Sequence, residues 1–168
     1  MLNLKEELAV EETIKVLNEM SLDLENFIFR FLEQDDFHKK YFELLSFLTS
    51  SPTPRLEEWT EQYKKIKQNP IFIFVIEDKQ NSAIVGSITC LIESKFIRNL
   101  GKVSHVEDVV VHPDYRNKRF GTKLLQLGID FSNKFGCYKV ILDSRDDAMR
   151  FYEKLGFKKR SEGMALYF

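Results

Sequence analysis

The apolar positions in the first part of the chain change from helical to strand spacing and back. Residues 4–20 carry apolar side chains every three or four positions, which predicts an amphipathic helix. The run FIFRF at residues 27–31 predicts a first strand. The acidic turn EQDD predicts the start of a helix that continues to about Leu48. After the break at SSPTP, a second helix is predicted from near Pro54, because proline is tolerated in a first helical turn.

Long apolar runs in the middle of the chain are typical of strands. IFIFVIE, residues 71–77, is apolar on both faces. AIVGSITCLIES, residues 83–94, is predicted to pair with it as a hairpin across the polar turn DKQNS. KVSHVEDVVVH, residues 102–112, predicts the next strand.

The remaining third alternates helix and strand patterns. A helix is predicted from about Phe120 to Phe135, with Gly136 where a helix C-cap prefers glycine. KVILD (139–143) predicts a short buried strand, DDAMRFYEKLG (146–156) a helix, and FKKRSEGMALYF (157–168) a final strand interrupted near Gly163. The order β, two helices, three strands, then αβαβ predicts an α/β fold in which a mixed sheet has helices on both faces.

Composition limits the classes of function. The 168 residues are long enough for one domain with a substantial core, predicted as residues 25–168 after a helical extension at 1–24. With 25 basic and 26 acidic residues, the chain has no global positive field of the kind that gathers nucleic acid. Two cysteines without a CxxC pattern, and no signal sequence or long apolar run, predict a reducing, cytoplasmic setting without a transmembrane segment. The three histidines lie at no ligand spacing, so no metal site is predicted.

HVEDVVVHPDYRNKRFGTKLL, residues 105–125, leads from an apolar strand through a basic turn into a helix. The free backbone N–H groups and positive dipole at a helix start suit phosphate oxygens. Gly121 allows a ligand close to the backbone, and Arg116, Lys118 and Arg119 add local positive charge. The stretch contains neither a P-loop nor a GxGxxG pattern. From these residues alone, a solvated basic loop with a helix cap is an equal alternative.

This stretch, followed by GCYKVILD (136–143) and FYEKLGF (151–157), resembles the GCN5-related N-acetyltransferase family. The resemblance is strongest to its glucosamine-6-phosphate N-acetyltransferase branch over residues 84–168, and it extends more weakly to about residue 27. The pyrophosphate signature of the family reads RNKRFG here, where Arg116 and Gly121 fit and Arg119 replaces the usual middle glycine. The resemblance implies a mixed, mostly antiparallel sheet with a splayed central strand pair.

The resemblance also implies an acetyl-coenzyme A site. The N–H group of Val109 would bond the thioester oxygen, while Val110 and Val111 present backbone to the pantetheine arm in the opening between strands. The predicted cofactor set also contains Asp143. The turn predicted to hold the pyrophosphate consists of Arg116, Asn117, Lys118, Arg119, Phe120, Gly121 and Thr122.

Three residues are expected to carry the chemistry. By resemblance, Glu107 and the backbone carbonyl of Asp108 accept the proton of the acceptor amine, directly or through water. Adjacent residues on a strand point to opposite faces, so the two carboxylates are not expected to act as a mirror-image pair. The hydroxyl of Tyr152 would face the coenzyme sulfur as general acid or hydrogen-bond donor. Exposed strand-end acids and a packing tyrosine are the alternatives.

The acceptor contacts are also implied by the resemblance. Cations at Lys95, Arg98 and Lys139 suit a sugar phosphate. The family forms homodimers in which the final strand crosses to the partner and both subunits build each pocket, whereas a last strand that closes its own sheet is the alternative. The predicted substrate set is Thr49, Lys95, Phe96, Ile97, Arg98, Glu107, Asp108, Val109, Tyr138, Lys139 and Tyr167.

Three positions depart from the pattern of the branch. Tyr167 stands where an arginine is common, Ala148 replaces an asparagine that touches the coenzyme, and Asn117 replaces a glycine. The expected activity is the acetyl-coenzyme A dependent N-acetylation of D-glucosamine 6-phosphate by direct transfer, a step toward UDP-N-acetylglucosamine. Two alternatives stay open: the same fold acting on another amino sugar or a polyamine, and an acetyl-coenzyme A binding dimer without catalysis.

Overall fold

A computed structural model of the protein describes residues 2–160 and 164–166. One sheet has the strand order β1-β2-β3-β4-β5, in which only β4 and β5 are parallel. The strands are β1 (Phe27–Phe31), β2 (Ile71–Asp78), β3 (Ala83–Ser94), β4 (Lys102–Val111) and β5 (Cys137–Ile141). The helices are α1 (Leu4–Asp23), α2 (Tyr41–Leu45), α3 (Leu56–Gln68), α5 (Phe120–Lys134) and α6 (Met149–Glu153). The segment numbered α4 (Ile97–Leu100) is a single turn in which Arg98, Asn99 and Leu100 have left-handed φ values. The predicted α/β class and mixed, mostly antiparallel sheet are confirmed.

One face of the sheet packs against α1 and α5. Leu17 of α1 and Leu124 and Phe131 of α5 belong to one buried cluster with Phe74 and Val106 from the strands. The predicted N-terminal helix is confirmed as α1, and its apolar side chains pack into the same core as the rest of the chain. The division at residues 24 and 25 stays a prediction. We call this side the α5 face.

The opposite face, which we call the α3 face, packs against α2 and α3. Leu44 and Trp59 are buried there against Val75 and Ile84. The indole N–H of Trp59 donates a 2.7 Å hydrogen bond to the carbonyl of Gln34, which satisfies the polar edge of the buried ring. The sheet therefore has helices on both faces, as predicted.

A buried ion network connects β1 and β2 to the segment before α2. The carboxylate of Asp36 has no solvent exposure and accepts hydrogen bonds of 2.6 and 2.7 Å from the guanidinium of Arg30. The ammonium of Lys39 and the same guanidinium both bond Glu77. Removing one partner of a buried pair costs about 3–5 kcal/mol of unfolding free energy, so the network fixes this segment on the sheet.

The continuous helix predicted from EQDD to Leu48 is wrong. The segment consists of a 3₁₀ helix, Gln34–His38, and the short α2, and Lys40 between them has φ 60°. A left-handed residue ends a right-handed helix, because the next turn starts in a new direction. The following helix begins at Leu56, two residues after the predicted proline.

The C-terminal predictions are also corrected. β5 lies two residues earlier than predicted, and α6 is five residues long rather than eleven. The final strand is wrong for the described part of residues 157–168, because residues 157–160 and 164–166 are irregular. A strand forms only where its backbone groups pair with a neighbour, and these residues do not extend the sheet. Gly163 and Tyr167 lie outside the described residues.

Candidate active site

A β-bulge interrupts β4 at the EDV sequence. Glu107 lies opposite Thr89 and Val110 lies opposite Ser87, so β4 has one residue more than β3 between these pairs. The extra residue is accommodated at Asp108, whose φ of 51° is uncommon for a residue other than glycine. A bulge leaves backbone groups outside the regular ladder, so the sheet here can offer them to a ligand.

The bulge also reverses which side chains face each side of the sheet. Val106 packs in the core of the α5 face and Val109 packs against it, although they are three residues apart, while Val110 is buried on the α3 face. The expectation that Glu107 and Asp108 point to opposite faces assumes unbroken alternation. It therefore does not apply across this bulge, and both residues are exposed.

β4 and β5 separate after a short parallel pairing. The pairing runs from Lys102 opposite Cys137 to His105 opposite Ile141, where β5 ends. The rest of β4 continues along β3 alone. The predicted splayed strand pair is thus present, and Glu107 lies two residues into the opening.

The carboxylates at this opening influence one another. Glu107 is exposed but partly desolvated by its surroundings, which raises its pKa; the negative charges of Asp108 and Asp143 raise it further, and His105 opposes them. Burial also raises the pKa of Asp108. A carboxylate whose pKa is shifted toward neutrality is a stronger base, so Glu107 is suited to accept a proton. Asp143 follows β5 and acts on Glu107 from the far side of the opening.

The basic turn is more ordered than a loop. Arg116, Asn117 and Lys118 belong to a 3₁₀ helix, Pro113–Lys118, and Arg119 with φ 60° and ψ 20° links it to α5. Glycine adopts this left-handed conformation most readily, which explains why the signature has a glycine where this chain has Arg119. The first N–H groups of α5 have no carbonyl partner within the helix, so they can bind an anion.

The side chains of the turn point to different surroundings. The ammonium of Lys118 lies 5.5 Å from the centre of the Phe27 ring, which holds it toward β1. Phe120 is fully buried, so only its backbone is available at the turn. Arg116, Asn117, Arg119 and Thr122 are exposed. The predicted pyrophosphate set therefore combines exposed side chains with helix-start backbone groups.

Helix α6 brings Tyr152 to the same region. The half-buried Tyr152 ring contacts Phe151 and Phe157, with ring centres 5.1 and 6.0 Å apart. Burial raises the pKa of Tyr152, and Arg145 opposes this, so the hydroxyl is protonated at neutral pH. Phe151 packs beside Gly121, and α6 therefore lies directly against the start of α5.

Most of the predicted acceptor residues lie near the other end of β4. The guanidinium of Arg98 and the ammonium of Lys139 lie 6.0 and 5.8 Å from the ring centre of Tyr138. This cluster is near Lys102, which is five residues and about 17 Å along the strand from Glu107. In the neighbouring turn, Phe96 and Ile97 are 96% and 67% exposed. Within one chain, the cluster and the carboxylates therefore lie at different points along β4.

Lys95 begins the same turn, where its N–H group bonds the carbonyl of Gly101, whereas Thr49 lies elsewhere. The ammonium of Lys95 bonds the carboxylate of Glu93 on β3. Thr49 is exposed after α2, and Phe47 in the same segment contacts the ring of His112 at 4.9 Å. Thr49 is thus placed beside the end of β4 that leads into the basic turn. Tyr167 lies outside the described residues.

Sequence reasoning missed one polar pair beside the carboxylates. The Nε2 atom of His105 lies 2.9 Å from a carboxylate oxygen of Glu93. His105 is two residues before Glu107, so period-two spacing on the strand is a signal by which it could have been found. Within residues 2–160 and 164–166, no group of three or more His, Cys, Asp or Glu side chains is arranged to hold a metal ion. No helix in these ranges is long and apolar enough to span a membrane.

Residues 32–157 match the family model of the Acetyltransferase (GNAT) family, and the chain belongs to this family. It is 38% identical to the glucosamine 6-phosphate N-acetyltransferase of Arabidopsis thaliana over 146 residues, covering 86% of this chain and 98% of the relative. It is 36% identical to glucosamine 6-phosphate N-acetyltransferase 1 of Dictyostelium discoideum over 141 residues, covering 83% and 89%. The crystal structure of the Arabidopsis enzyme matches with a TM-score of 0.82, over 84% of this chain and 98% of that one. The family resemblance read from the sequence is confirmed.

Proposed function

We propose that this protein is an acetyl-coenzyme A dependent N-acetyltransferase that converts D-glucosamine 6-phosphate to N-acetyl-D-glucosamine 6-phosphate. The observation that carries this assignment is the similarity to relatives named for this activity over 98% and 89% of their own lengths. The opening between β4 and β5, with Glu107 two residues beyond the last pair, supports it structurally. With this product, the proposed reaction is a step toward UDP-N-acetylglucosamine.

The chain offers groups that fit the coenzyme, which supplies the acetyl thioester. The first N–H groups of α5, with the exposed side chains of Arg116 and Arg119, suit a pyrophosphate. The bulge at Asp108 places the backbone of Val109 outside the regular ladder. An N–H group in this position suits the thioester oxygen, where negative charge develops during acyl transfer.

Acetyl transfer to an amine requires a base and a proton donor. Glu107, whose pKa is raised by burial and by its acidic neighbours, suits the base. Tyr152, whose hydroxyl is protonated at neutral pH like that of any tyrosine with a raised pKa, suits the donor to the departing thiolate. The carbonyl of Asp108 lies at the bulge and completes the acceptor contacts proposed for the amine.

We extend the proposal to a homodimer with shared active sites. The cluster of Arg98, Tyr138 and Lys139 lies four to five residues, about 13–17 Å, from Glu107 along β4, so its cations do not adjoin the carboxylate in the strand. A second copy can supply the cations to the pocket that contains Glu107. Apolar side chains that stand fully exposed, such as Phe96 and Met164, support a surface that another chain covers.

Two further points belong to this proposal. A cytoplasmic location is supported by Cys90 and Cys137, which are free thiols at positions compatible with a reducing compartment. We also propose the division into a helical extension at residues 1–24 and a catalytic domain at 25–168, and the family match over residues 32–157 lies within the second part.

The test uses purified protein, acetyl-coenzyme A and three amines, with release of free thiol as the readout. Glucosamine 6-phosphate should exceed glucosamine and spermidine in kcat/KM by at least about tenfold, because a bound phosphate adds charge-assisted hydrogen bonds. A preference for spermidine would reassign the acceptor to a polyamine. Coenzyme binding without thiol release from any amine would make the protein a binding module.

A further inference from the structure

Four polar side chains form a row on the α3 face of the sheet: Lys95, Glu93, His105 and Glu107. Ser104, which precedes His105, bonds Ser132 of α5, and Val106, which lies between His105 and Glu107, is buried on the α5 face. These two residues therefore face away from the row. His105 and Glu107 are therefore on one face, before the bulge, and about 7 Å apart along the strand. A gap of this size between two such side chains is one that a single water molecule can bridge.

Glu93 fixes the orientation of the histidine. Its Oε1 atom bonds the ammonium of Lys95, and its Oε2 atom lies 2.9 Å from Nε2 of His105. Lys95 and His105 hold the pKa of Glu93 below its usual value, so Glu93 is a carboxylate at neutral pH. A carboxylate on one ring nitrogen selects the tautomer that donates from that nitrogen, which makes Nδ1 the acceptor.

The charged groups around His105 come from three strands and one turn. Glu93 faces it from β3 and Lys95 from the turn after β3. On β4, the charge of His105 acts on Glu107, and on β5 Lys139 lies opposite Val103, two residues from His105. The side chain of His105 is 29% exposed, so the ring reaches both the row and the solvent.

We propose that His105, positioned by Glu93, carries the proton of the acceptor amine away from Glu107, an inference that rests on the proposed function. The ammonium N–H bond breaks and its proton moves to the Glu107 carboxylate. The resulting carboxylic acid passes the proton to Nδ1 of His105, directly or through one water molecule. The imidazolium then releases a proton to solvent. One proton leaves the acceptor, Glu107 is again ionised, and nothing is oxidised or reduced.

A carrier would be needed because coenzyme and sugar, once bound, would displace water from the opening. Glu107 would otherwise keep its proton until the products leave. His105 lies on the same face but outside the separated part of β4 and β5, since it is the last residue paired with β5. This position connects the carboxylate to solvent while the substrates are in place.

The experiment is chemical rescue with imidazole buffer. With glucosamine 6-phosphate, wild-type turnover should not depend on buffer concentration, whereas His105→Ala should fall about 100-fold and recover as imidazole is added. The turnover of Glu93→Gln should also fall, and imidazole should restore it in part. The exposed His38, which lies outside the row, is the matched control, and His38→Ala should respond to imidazole no more than wild type does.

The outcomes separate the two proposals. Wild-type protein that does not acetylate glucosamine 6-phosphate would overturn the proposed function and this inference with it. If the wild type is active and His105→Ala is equally fast, the inference alone is overturned. The same holds if His105→Ala is slow and its turnover does not rise with imidazole. Melting temperatures identify a folding defect, and His105→Gln provides the same test if the alanine variant does not fold.

Discussion

The Cζ atom of Phe151 lies 3.4 Å from the position that a β-carbon on Gly121 would occupy. This is an ordinary van der Waals distance, so the fold itself accepts a methyl group at the start of α5. The glycine is therefore not required by packing. If a pyrophosphate lies against these helix-start amides, the same methyl group stands between the backbone and the ligand.

Gly121→Ala should accordingly keep the wild-type melting temperature and weaken coenzyme A binding by about tenfold or more, because each lost or lengthened charge-assisted hydrogen bond costs about 1.5–3 kcal/mol. Isothermal titration calorimetry and thermal unfolding measure the two quantities. Gly128→Ala is the matched control, since its β-carbon would lie 3.1 Å from Ile88 and 3.2 Å from the sulfur of Cys90. That variant should lose about 1–3 kcal/mol of stability and keep its coenzyme affinity. Unchanged affinity in Gly121→Ala would place the coenzyme elsewhere.

Arg119 has an unfavourable left-handed backbone conformation and a positive charge that suits the proposed pyrophosphate. A side chain in the left-handed region costs about 1–2 kcal/mol relative to glycine. Arg119→Gly should therefore unfold at higher urea concentration than Arg119→Ala, by about 1 kcal/mol in unfolding free energy. Both variants lose the guanidinium, so both should bind coenzyme A several-fold more weakly, with a smaller difference from wild type at high salt.

Arg116 provides the opposite comparison. It lies in a right-handed 3₁₀ helix, where glycine is less favourable than alanine, so Arg116→Gly should be less stable than Arg116→Ala. Equal stability of the glycine and alanine variants at position 119 would contradict the left-handed conformation of the turn.

The sequence was sufficient for the strands with long apolar runs. β1, β2, β3 and β4 lie within one residue of their predicted bounds, because each carries a run of apolar residues that is bounded by polar turns. The break at Lys40 and the bulge at Asp108 were not predictable in the same way. Both depend on a backbone conformation that tertiary packing selects and that the side chain alone disfavours.

The candidate site was predicted in parts. The motif residues Glu107, Gly121 and Tyr152 come from one continuous half of the chain, and the structure places their elements around one opening. Their roles stay predictions. The distance between the Arg98 cluster and Glu107 was not visible in the sequence, because it depends on which end of β4 each loop joins. The pairing of His105 with Glu93 likewise depends on the register between two strands.

The raised pKa of Glu107 gives a prediction on pH dependence. The acidic limb of kcat/KM reports the essential base of the free enzyme, so it should lie above the ordinary pKa of a glutamate. Asp108→Asn removes one neighbouring negative charge, which lowers the pKa of Glu107 and moves the limb to lower pH. The limb should stay above the ordinary value, because burial, the largest cause of the shift, remains.

Asparagine is a suitable replacement because it tolerates positive φ better than most residues. The pKa of Asp108 is raised in the folded protein, so its ionisation opposes folding as the pH rises, and Asp108→Asn should lose no stability at neutral pH. Asp35→Asn, at an exposed position near α2, serves as a control that should leave the limb unchanged. If the acidic limb of kcat/KM moved to higher pH in Asp108→Asn, Glu107 would not be the titrating base.

A substitution at Tyr152 distinguishes a catalytic role from a packing role more directly than one at any other residue of the site. Tyr152→Phe keeps the ring contacts with Phe151 and Phe157 and removes only the hydroxyl. If that hydroxyl protonates the departing thiolate, kcat should fall by about 10²–10⁴, while the dissociation constant of coenzyme A changes by less than about twofold. The melting temperature should stay close to that of the wild type, because the packing of α6 on α5 is preserved.

Rapid mixing distinguishes this role from slow product release. A single turnover with excess enzyme should be slowed as much as steady-state turnover, since the missing proton donor affects the chemical step itself. Phe151→Leu is the informative companion, because it loosens the contact with Gly121 without touching the hydroxyl. Phe151→Leu should weaken coenzyme binding and lower the melting temperature. Its single-turnover rate with bound coenzyme should change less than that of Tyr152→Phe. If Tyr152→Phe instead loses coenzyme affinity at an unchanged rate, Tyr152 anchors the coenzyme, and another group must protonate the thiolate.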